Sequence, residues 1–337
     1  QTTARHGATI GAIDATDTTD ATAETAPEIS VVVATHGRAE LLPELFDALA
    51  AQTMLGRFEV IVTDDGSPDD TWATLQRLAA AAPFPVALHR HPRSRGPAAA
   101  RNTAATDARA PVLAFTDDDC RPEPNWLRAA SDAMTQAHRV VVGHVKPPDG
   151  TPPLRPNQRR LLVTDWTRFE TANAFYRADD FRAADGFYEG FDGPGGEDLD
   201  LGMRVRELGA TAYYEPDAVV VHPVRSLSTR GAIREAARWT GVTLVMKRHP
   251  QLRRELLHRP WLWRKPHLWF VIGLAGTIAG RGRPWAWLAW APWVRRKLGD
   301  HGPSTTTIRY LPQLAVVDAV EVATLLRTSA ANRIFIL

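Results

Sequence analysis

The chain has 337 residues, of which 44% are hydrophobic and 23% charged, a composition typical of a globular protein with ample length for a buried core. Its net charge of +2 is uninformative as a total, because the charges are unevenly distributed. Its single cysteine, Cys120, excludes an intramolecular disulfide and a cysteine-based zinc site, which suits a reducing compartment.

The first part of the chain alternates between strand-like and helical patterns. Residues 1–28 are rich in Thr, Ala and Asp, and are predicted to form a disordered leader without a signal peptide. From residue 29, short β-branched runs alternate with segments of helical spacing; the predicted strands are EISVVVAT, FEVIVT, PVALHR, PVLAFT and RVVVGH. This alternation predicts an α/β fold with a mostly parallel sheet, in which ligands bind at the carboxyl ends of the strands.

The later elements follow a proline-rich segment. Residues 144–165 are predicted to be irregular, and 166–192 to be mixed. A helix is predicted in GGEDLDLGMRVRELG, followed by strands near TAYYE and AVVVH. Beyond His222 the chain is predicted to be helical, with a last amphipathic helix over 314–327. The predicted divisions are therefore 29–143, 144–223 and 224–337.

Three adjacent aspartates end the predicted strand PVLAFT. The carboxylates of Asp117, Asp118 and Asp119 repel one another unless something cationic lies among them. Asp117 and Asp119 stand at positions i and i+2 of an extended segment, so their side chains point the same way. Such a pair favours a hard divalent cation, Mg²⁺ or Mn²⁺, which prefers oxygen ligands. The alternative is a solvated acidic loop.

A second acidic cluster, Asp64 and Asp65, ends the predicted strand FEVIVT and is expected to face the same crevice. Either carboxylate is a suitable acceptor for the ring N–H of a uracil or thymine. The alternative is an Asx-turn at a strand end. Ser67, Pro68 and Asp70 match a capping box, which predicts that the next helix is capped by Ser67.

An acidic pair opens the predicted helix in GPGGEDLDLGMRV. Gly196 is suited to the N-cap, which places Glu197 and Asp198 in the first turn, where the helix dipole favours acids whatever their role. The functional alternative is that Gly193, Gly195 and Gly196 form a flexible loop that delivers the acids to a site. A carboxylate so placed is suited to act as a general base on a hydroxyl.

Other polar residues have less specific patterns. Arg95, Arg101 and Asn102 in RGPAAARN either reach a phosphate or sugar, or simply begin a surface helix. His222 ends the run AVVVHP and becomes a candidate metal ligand only if its strand abuts the acidic crevice. The chain has neither a P-loop nor a dinucleotide-binding fingerprint.

Seven motifs together resemble the family 2 glycosyltransferases, which are inverting enzymes with the GT-A fold. They occur in the family's order over residues 29–223, and they are VVVATHGR, VTDDGSPDD, RGPAAARN, FTDDDCRPEPNWL, NAFYR, GGEDLDLGMRVRELG and PDAVVVHP. ADGFYEGF stands where the family often has a GGFDE-like stretch. The resemblance implies that 29–143 binds a nucleotide sugar, that 144–223 binds the acceptor, and that 224–337 is a helical extension.

The resemblance also implies a UDP- or dTDP-sugar donor and a divalent metal, Mn²⁺ or Mg²⁺. It places Asp117, Asp119 and, in some members only, His222 at the metal, and Asp198 at the general base. Glu197 and Asn173 are assigned to the acceptor, with Glu197 beside the base. The donor-binding set predicted from the motifs and the helix start is Thr35, His36, Arg38, Asp64, Asp65, Arg95, Arg101, Asn102, Asp117 and Asp118.

The predicted function is metal-dependent, inverting transfer of a sugar to an acceptor hydroxyl, with a cell-envelope glycan or lipid-linked saccharide as the acceptor. The alternative is a non-catalytic carbohydrate- or lipid-binding module on a degenerate GT-A scaffold. Turnover distinguishes the two.

The C-terminal third is basic and rich in tryptophan. Residues 225–300 contain 16 Lys and Arg against 3 Asp and Glu, and 8 of the 11 tryptophans. This composition suits a membrane interface, whereas the alternative is a helical domain packed on the catalytic one. No nucleic-acid partner is predicted, because nothing resembles a known reading module. The expected location is cytoplasmic and peripheral, on the inner face of the plasma membrane.

Overall fold

The computed structural model describes residues 26–191 and 195–337, so most of the predicted leader and Gly193 lie outside the described residues. The strands are β1 (Ile29–Thr35), β2 (Phe58–Asp64), β3 (Val86–Arg90), β4 (Val112–Asp117), β5 (Arg121–Pro122), β6 (His138–Lys146), β7 (Gln158–Arg159), β8 (Ala174–Arg177), β9 (Thr211–Val221) and β10 (Arg225–Ser226).

The helices pack around this framework. They are α1 (Leu42–Ala50), α2 (Thr71–Ala81), α3 (Pro97–Thr106), α4 (Trp126–Ala133), α5 (Ala178–Ala183), α6 (Glu197–Glu207), α7 (Thr229–Ala236), α8 (Gly241–Arg248), α9 (Leu252–Glu255), α10 (Lys265–Ala279), α11 (Ala291–His301) and α12 (Thr305–Asn332). Two 3₁₀ helices, Thr171–Asn173 and Pro284–Trp290, complete the set within the described ranges.

The main sheet has the strand order β3-β2-β1-β4-β8-β6-β9-β5. Strands β3, β2, β1 and β4 are parallel, β8 runs antiparallel between β4 and β6, and β6 pairs in parallel with β9. The register pairs Thr35 with Asp64 and Ala34 with Asp117, so the ends of β1, β2 and β4 are level. The prediction of a mostly parallel α/β sheet with a helical C-terminal region is confirmed.

Burial of the central strands explains the alternating sequence pattern. Every residue of β2 is buried, and β1 is buried except at one position, as expected for a sheet that helices cover on both faces. On α1, the buried residues follow the i, i+3, i+4, i+7 spacing of one helical face; they are Leu42, Leu45, Phe46 and Leu49. The apolar core therefore holds the carboxyl ends of the strands in place.

Three predicted elements differ from the structure. The predicted capping box is wrong. Helix α2 begins at Thr71, whose N–H and hydroxyl donate hydrogen bonds to the Asp69 carboxylate at 3.2 and 2.5 Å. The hydroxyl of Ser67 instead accepts from the N–H of Gly37 at 2.9 Å, so it is not available as a cap. The two strands near TAYYE and AVVVH are one strand, β9, with an irregular register against β6. The last helix, α12, is longer than 314–327 and contains Pro312.

The C-terminal region shares its packing with the sheet domain. Val242 and Met246 of α8 and Leu325 of α12 belong to the same apolar core as the sheet. A smaller cluster forms around Phe270 and Trp293. In the part of the chain that is described, no helix combines the length and hydropathy that crossing a bilayer requires.

Asp200 on α6 joins the sheet domain to α8. Its buried carboxylate accepts hydrogen bonds from Arg204 at 2.8 Å, from His249 at 2.9 Å and from Arg248. Burial alone would raise the pKa of Asp200, but the hydrogen bonds from His249 and Arg248 lower it to about 2. Helix α6 is therefore anchored to the C-terminal region by an ionised side chain.

Replacing Asp200 with Asn should lower the free energy of unfolding by about 2 kcal/mol, because it removes a buried charge that accepts hydrogen bonds from Arg204, Arg248 and His249. Denaturant unfolding at pH 7 measures this loss, and Asp217→Asn, at an exposed position, is the matched control. The lowered pKa means that the stabilisation is complete above pH ~4 and is lost as the pH falls towards ~2. If the difference in unfolding free energy between wild type and variant does not narrow below pH ~4, this assignment is contradicted.

Candidate active site

The three aspartates after β4 have different partners. The Asp117 carboxylate accepts a hydrogen bond from Arg101 at 2.8 Å, and that of Asp119 accepts one from Arg38 at 3.1 Å. The Asp118 carboxylate accepts from the Thr35 hydroxyl at 2.7 Å. Two arginines from other parts of the chain therefore neutralise part of the cluster.

Asp117 and Asp119 nevertheless keep ligand atoms close together. One carboxylate oxygen of Asp117, one of Asp119 and the Cys120 sulfur all lie within 4.8 Å of one another. Burial raises the pKa of the Cys120 thiol well above its ordinary value, so this group stays protonated and is a poor ligand. The two carboxylates remain as a pair of oxygen donors. They are brought together by a turn after β4, in which the N–H of Cys120 donates to the Asp117 carbonyl at 3.1 Å, and not by the extended backbone that the sequence predicted.

His222 lies beside this pair because β5 and β9 are neighbours. The antiparallel register pairs Arg121 with Val221, which brings His222 next to Asp119. The Nδ1 of His222 lies 2.9 Å from the Pro223 carbonyl oxygen, an acceptor, so Nδ1 carries the proton. Its Nε2 lies 3.4 Å from a carboxylate oxygen of Asp119. When the ring is neutral, this nitrogen can join Asp119 at a shared cation, and the hydrogen bond at Nδ1 orients the ring.

The middle carboxyl is the most strongly perturbed of the three. Burial raises the pKa of Asp118 to about 6, although the charge of Arg38 and the hydrogen bond from Thr35 oppose this change. Burial thus favours the neutral form of the Asp118 carboxyl, which is held by Thr35 beside the other two aspartates.

Asp64 and Asp65 have structural partners of different kinds. Asp64 is fully buried; its carboxylate accepts from the backbone N–H of Ser67 at 2.9 Å and pairs with Arg90 at 3.1 Å. This hydrogen bond spans three residues, one more than an Asx-turn, and it closes the loop after β2. The neighbouring Gly66 has φ +71°, and a methyl group there would overlap the backbone of Arg93. The turn therefore requires glycine.

The Asp65 carboxylate organises the loop before α3. It accepts hydrogen bonds from the Ser94 hydroxyl at 2.7 Å, from the N–H of Gly96 at 2.8 Å, from the N–H of Arg95 at 2.9 Å, and from His91 at 2.6 Å. Burial opposes the charged form, but these hydrogen bonds lower the pKa of Asp65 below its ordinary value. Asp65 is thus ionised and holds the loop at the crevice.

The acidic pair lies at the start of α6, as predicted. Gly196 is the N-cap, with φ +109°. Glu197 is buried, and its carboxylate accepts from the N–H of Gly195 at 2.6 Å. The Asp198 carboxylate accepts from the hydroxyl of Thr171 at 3.0 Å and from its N–H at 3.2 Å. Glu197 therefore has a structural partner, whereas Asp198 is oriented by a residue from a different segment.

Arg101 connects the acidic cluster of β4 with α6. Its buried guanidinium lies 2.8 Å from Asp117, 3.5 Å from Glu197 and 3.8 Å from Asp198. Burial disfavours its charge, but these three carboxylates raise the pKa of Arg101 above its ordinary value. One cation thus separates the candidate metal ligand Asp117 from the candidate base Asp198.

Asp198 is the more accessible of the two acids on α6. Its side chain is 25% exposed, against 4% for Glu197. Burial and the adjacent Glu197 raise the pKa of Asp198 above its ordinary value, and Arg101 opposes them. A partly exposed carboxylate with a raised pKa is suited to accept a proton near neutral pH.

A cleft of about 520 Å³ opens at the ends of these strands. The residues of the predicted site that line it are Thr35, His36, Arg38, Asp65, Arg101, Asp117, Asp118, Asp119 and His222. The predicted residues outside its lining are Asp64, Arg95, Asn102, Asn173, Glu197 and Asp198. Most of the residues predicted to bind the donor and the metal thus lie together at the cleft. Glu197 and Asp198 are outside its lining and are connected to it through Arg101.

Two asparagines and one arginine have structural partners instead. Asn173 is fully buried; its amide accepts from Trp126 at 2.8 Å and donates to the carbonyls of His144 and Ala218 at 2.9 and 2.7 Å. No group of Asn173 is left for an acceptor, and the site proposed below does not include it. Asn102 donates hydrogen bonds to the Phe187 carbonyl and to Glu189, and Arg95 also donates to Glu189. Both partners lie in the ADGFYEGF segment.

The structure also shows residues that sequence reasoning missed. Thr171 orients Asp198, and Arg225 and Arg238 line the cleft. Thr171 has no local signal, because its role depends on contact with α6, which follows it by many residues. The two arginines lie in the strongly basic segment 225–300, whose composition predicts contact with a membrane and does not indicate the cleft.

Sequence comparisons agree with this geometry. The family model described as Glycosyl transferase family 2 matches residues 30–191. Validoxylamine A glucosyltransferase of Streptomyces hygroscopicus subsp. jinggangensis is 32% identical over 225 residues, 54% of this chain and 52% of that protein. Pre-mycofactocin glycosyltransferase of Mycobacterium tuberculosis is 30% identical over 238 residues, 66% of this chain and 48% of that protein. The chain thus spans about half the length of these curated relatives.

A structural comparison supports the same fold over most of the chain. The mannosyltransferase PcManGT from Pyrobaculum calidifontis, solved in complex with GDP-Man and Mn²⁺, superposes with a TM-score of 0.56 and 21% identity. The superposition covers 90% of this chain and 87% of that protein. It therefore extends beyond the matched motifs into the C-terminal helices. Over residues 30–191, the motif order, the sheet topology and the matched family model agree in their similarity to glycosyl transferase family 2.

Proposed function

We propose that this chain transfers a sugar from a nucleotide-sugar donor to an acceptor hydroxyl, with inversion at the anomeric carbon. The observation that carries the proposal is the bridge made by Arg101 between Asp117 and the acidic pair of α6. Arg101 thereby holds Asp117, one of the two carboxylates proposed for the donor end, close to Asp198, a partly exposed carboxylate that can accept a proton. The named relatives of similar sequence are themselves glycosyltransferases.

The donor end of the site fits a divalent cation. Asp117 and Asp119 supply hard oxygen atoms, and Nε2 of His222 supplies a lone pair directed at Asp119. When bound there, a Mn²⁺ or Mg²⁺ ion would neutralise negative charge on the departing diphosphate. PcManGT was solved with Mn²⁺ and a nucleotide sugar, which accords with this assignment. Arg38, beside Asp119, adds a permanent positive charge at the same edge.

The protein's own groups account for the proton transfer. Asp198 takes the proton of the acceptor hydroxyl as its oxygen forms a bond to the anomeric carbon. The bond from that carbon to the diphosphate oxygen breaks, and the diphosphate leaves with the electron pair. Attack from the face opposite the leaving group inverts the configuration, so no covalent enzyme intermediate is needed. Thr171 keeps Asp198 oriented, and Arg101 is a positioning residue that holds the two acidic segments together.

Release of nucleoside diphosphate from a panel of nucleotide sugars, with Mn²⁺ present, tests this function against the alternative of a non-catalytic binding module. A transferase slowly hydrolyses its donor even without an acceptor, and addition of chelator should stop this hydrolysis. Tight binding of a nucleotide sugar without any release would favour the binding module. The panel should include UDP-, dTDP- and GDP-sugars, because the site residues do not select among the bases.

We also propose that the protein binds peripherally to a membrane, through an apolar ridge formed by α10 and the 3₁₀ helix Pro284–Trp290. The exposed side chains of this ridge are Ile272, Leu274, Ile278, Trp285, Trp287 and Leu288. Arg281 and Arg283 lie in the connecting turn, and the sequence has no Asp or Glu from 256 through 299. Exposed indole rings beside arginines suit the headgroup region of an anionic bilayer. This accords with the expected location at the inner face of the plasma membrane.

Replacing Trp285 and Trp287 with Ser should lower partitioning into vesicles containing anionic lipid by about tenfold, because both rings are 60% exposed and would enter the interface. Sedimentation with vesicles measures the change. Ile308→Ser, at an exposed apolar position on α12, is the control. Unchanged partitioning of the double variant, or self-association through the ridge without vesicles, would contradict membrane binding.

A further inference from the structure

A second groove, of about 480 Å³, continues from the cleft towards the C-terminal helices. It shares five residues with the cleft, so the two are continuous; they are Arg38, Asp117, His222, Arg225 and Arg238. Six arginines line it against two acids, Asp117 and Glu235; the arginines are Arg38, Arg159, Arg160, Arg225, Arg238 and Arg264. We call this feature the basic groove. Its excess of positive charge lies on the side of Asp117 and His222 away from the Asp65 loop.

The acids of the basic groove do not satisfy its arginines. Glu235 is shared between Arg225 at 3.5 Å and Arg159 at 3.9 Å. Arg264 pairs with Glu321 at 3.2 Å, outside the groove lining, and stacks over Trp239. Several cations thus face one another with little counter-charge between them.

Two of the arginines stand out within the described part of the chain. Among the residues that the structure describes, the guanidinium groups of Arg160 and Arg238 make neither a hydrogen bond nor an ion pair, and both residues are exposed. Burial and the nearby charges of Arg225 and Arg38 lower the pKa of Arg238, although Glu235 opposes them. Like charges held this close together are unfavourable unless an anion is present.

We propose that the basic groove binds a phosphate group of the acceptor, so that the acceptor is a sugar or glycan carrying a phosphate or diphosphate ester. This proposal rests on the proposed function, because it names the acceptor class of that reaction. The planar fork of arginine matches the oxygens of a phosphate and binds them in pairs. The basic groove begins beside Asp117 and His222, the proposed metal ligands. An acceptor bound in it would therefore approach the donor from the side away from the nucleotide.

A matched pair of small probes tests this inference, namely glucose 1-phosphate and methyl glucoside, which differ in the phosphate. Calorimetry on the full chain in EDTA removes any binding of the phosphate through a metal. Glucose 1-phosphate should bind at least about tenfold more tightly than methyl glucoside, and its binding should weaken as salt is raised. Replacing Arg160, which lines the basic groove but not the cleft, with Gln should weaken binding of the phosphate probe by roughly fivefold, and adding Arg238→Gln in a double variant should bring the loss to about tenfold or more.

Arg254→Gln removes an exposed arginine outside the basic groove and should leave binding of both probes unchanged. Equal affinity for the two probes, or unchanged affinity in the double variant, would overturn the inference. The outcome is separable from that of the proposed function, which wild-type release of nucleoside diphosphate tests. Release without phosphate preference refutes only the acceptor class, and phosphate preference without release from any donor refutes only the transferase activity.

Discussion

Replacing Asp198 with Asn should lower sugar transfer by about 10³-fold while leaving donor binding within about twofold, because the amide cannot accept the acceptor proton. The oxygen of Asn can still accept the hydrogen bond from Thr171, so the local structure should persist. Initial rates at saturating donor measure the loss of transfer, and equilibrium titration with the nucleotide measures donor affinity.

Two further variants separate a base from a residue that merely holds the site together. Glu197→Gln should cost less than Asp198→Asn, since the Glu197 carboxylate is buried against Arg101 and the N–H of Gly195. Asp132→Asn, on the exposed side of α4, should retain full activity. Substantial transfer by Asp198→Asn would remove the base assignment. A parallel loss of donor affinity would instead indicate a structural role.

The pH profile provides a second readout for Asp198. Burial and Glu197 raise its pKa, and a base is active only when it is deprotonated, so activity should rise with pH through the pKa. The acidic limb of kcat should therefore lie above pH ~4, the range of an ordinary carboxyl. A limb at or below that pH would show that this carboxyl titrates normally in the working enzyme.

Replacing Asp119 with Asn should raise the Mn²⁺ concentration needed for half-maximal activity by about 10²-fold, because one charged ligand is lost from the carboxylate pair. Chelator should abolish the activity of the wild type. Excess Mn²⁺ should restore part of the activity of the variant. Metal titrations followed by nucleoside diphosphate release measure both effects.

Asp118→Asn is the matched comparison within the same cluster. The Asp118 side chain accepts from the Thr35 hydroxyl, which an amide oxygen can also do, so this variant should shift the Mn²⁺ dependence much less. Equal shifts for the two variants would show that the cluster acts only through its total charge. Activity that is insensitive to both chelator and Asp119→Asn would exclude the metal assignment.

The sheet and the donor edge follow from local sequence patterns. Alternating β-branched and helical segments predict the parallel strands, because β1, β2 and β4 are buried on both faces and a helix such as α1 has one apolar face. The cluster of aspartates at the end of a predicted strand locates the donor edge, although Asp117 and Asp119 converge through a turn and not through the extended backbone that the i, i+2 spacing assumed. Both predictions depend on near neighbours in the sequence.

The remaining features depend on contacts between distant segments. Ser67 matches a cap, yet its hydroxyl accepts a hydrogen bond from Gly37 in the loop after β1, and the helix begins later. Asn173 occurs in a matching motif, yet its amide fills an irregularity between β6 and β9. The bridge from Arg101 to α6 joins residues nearly a hundred positions apart. Periodicity carries no information about such pairs, so only the folded structure could show them.

The most direct test is a crystal structure with Mn²⁺ and a donor nucleotide diphosphate, with anomalous scattering used to locate the metal. The account predicts one manganese peak within coordination distance of carboxylates at 117 and 119, touching the nucleotide's phosphates on the side where residue 222 lies. An ordered nucleotide with no metal at that edge, or with its phosphates held elsewhere, would contradict it.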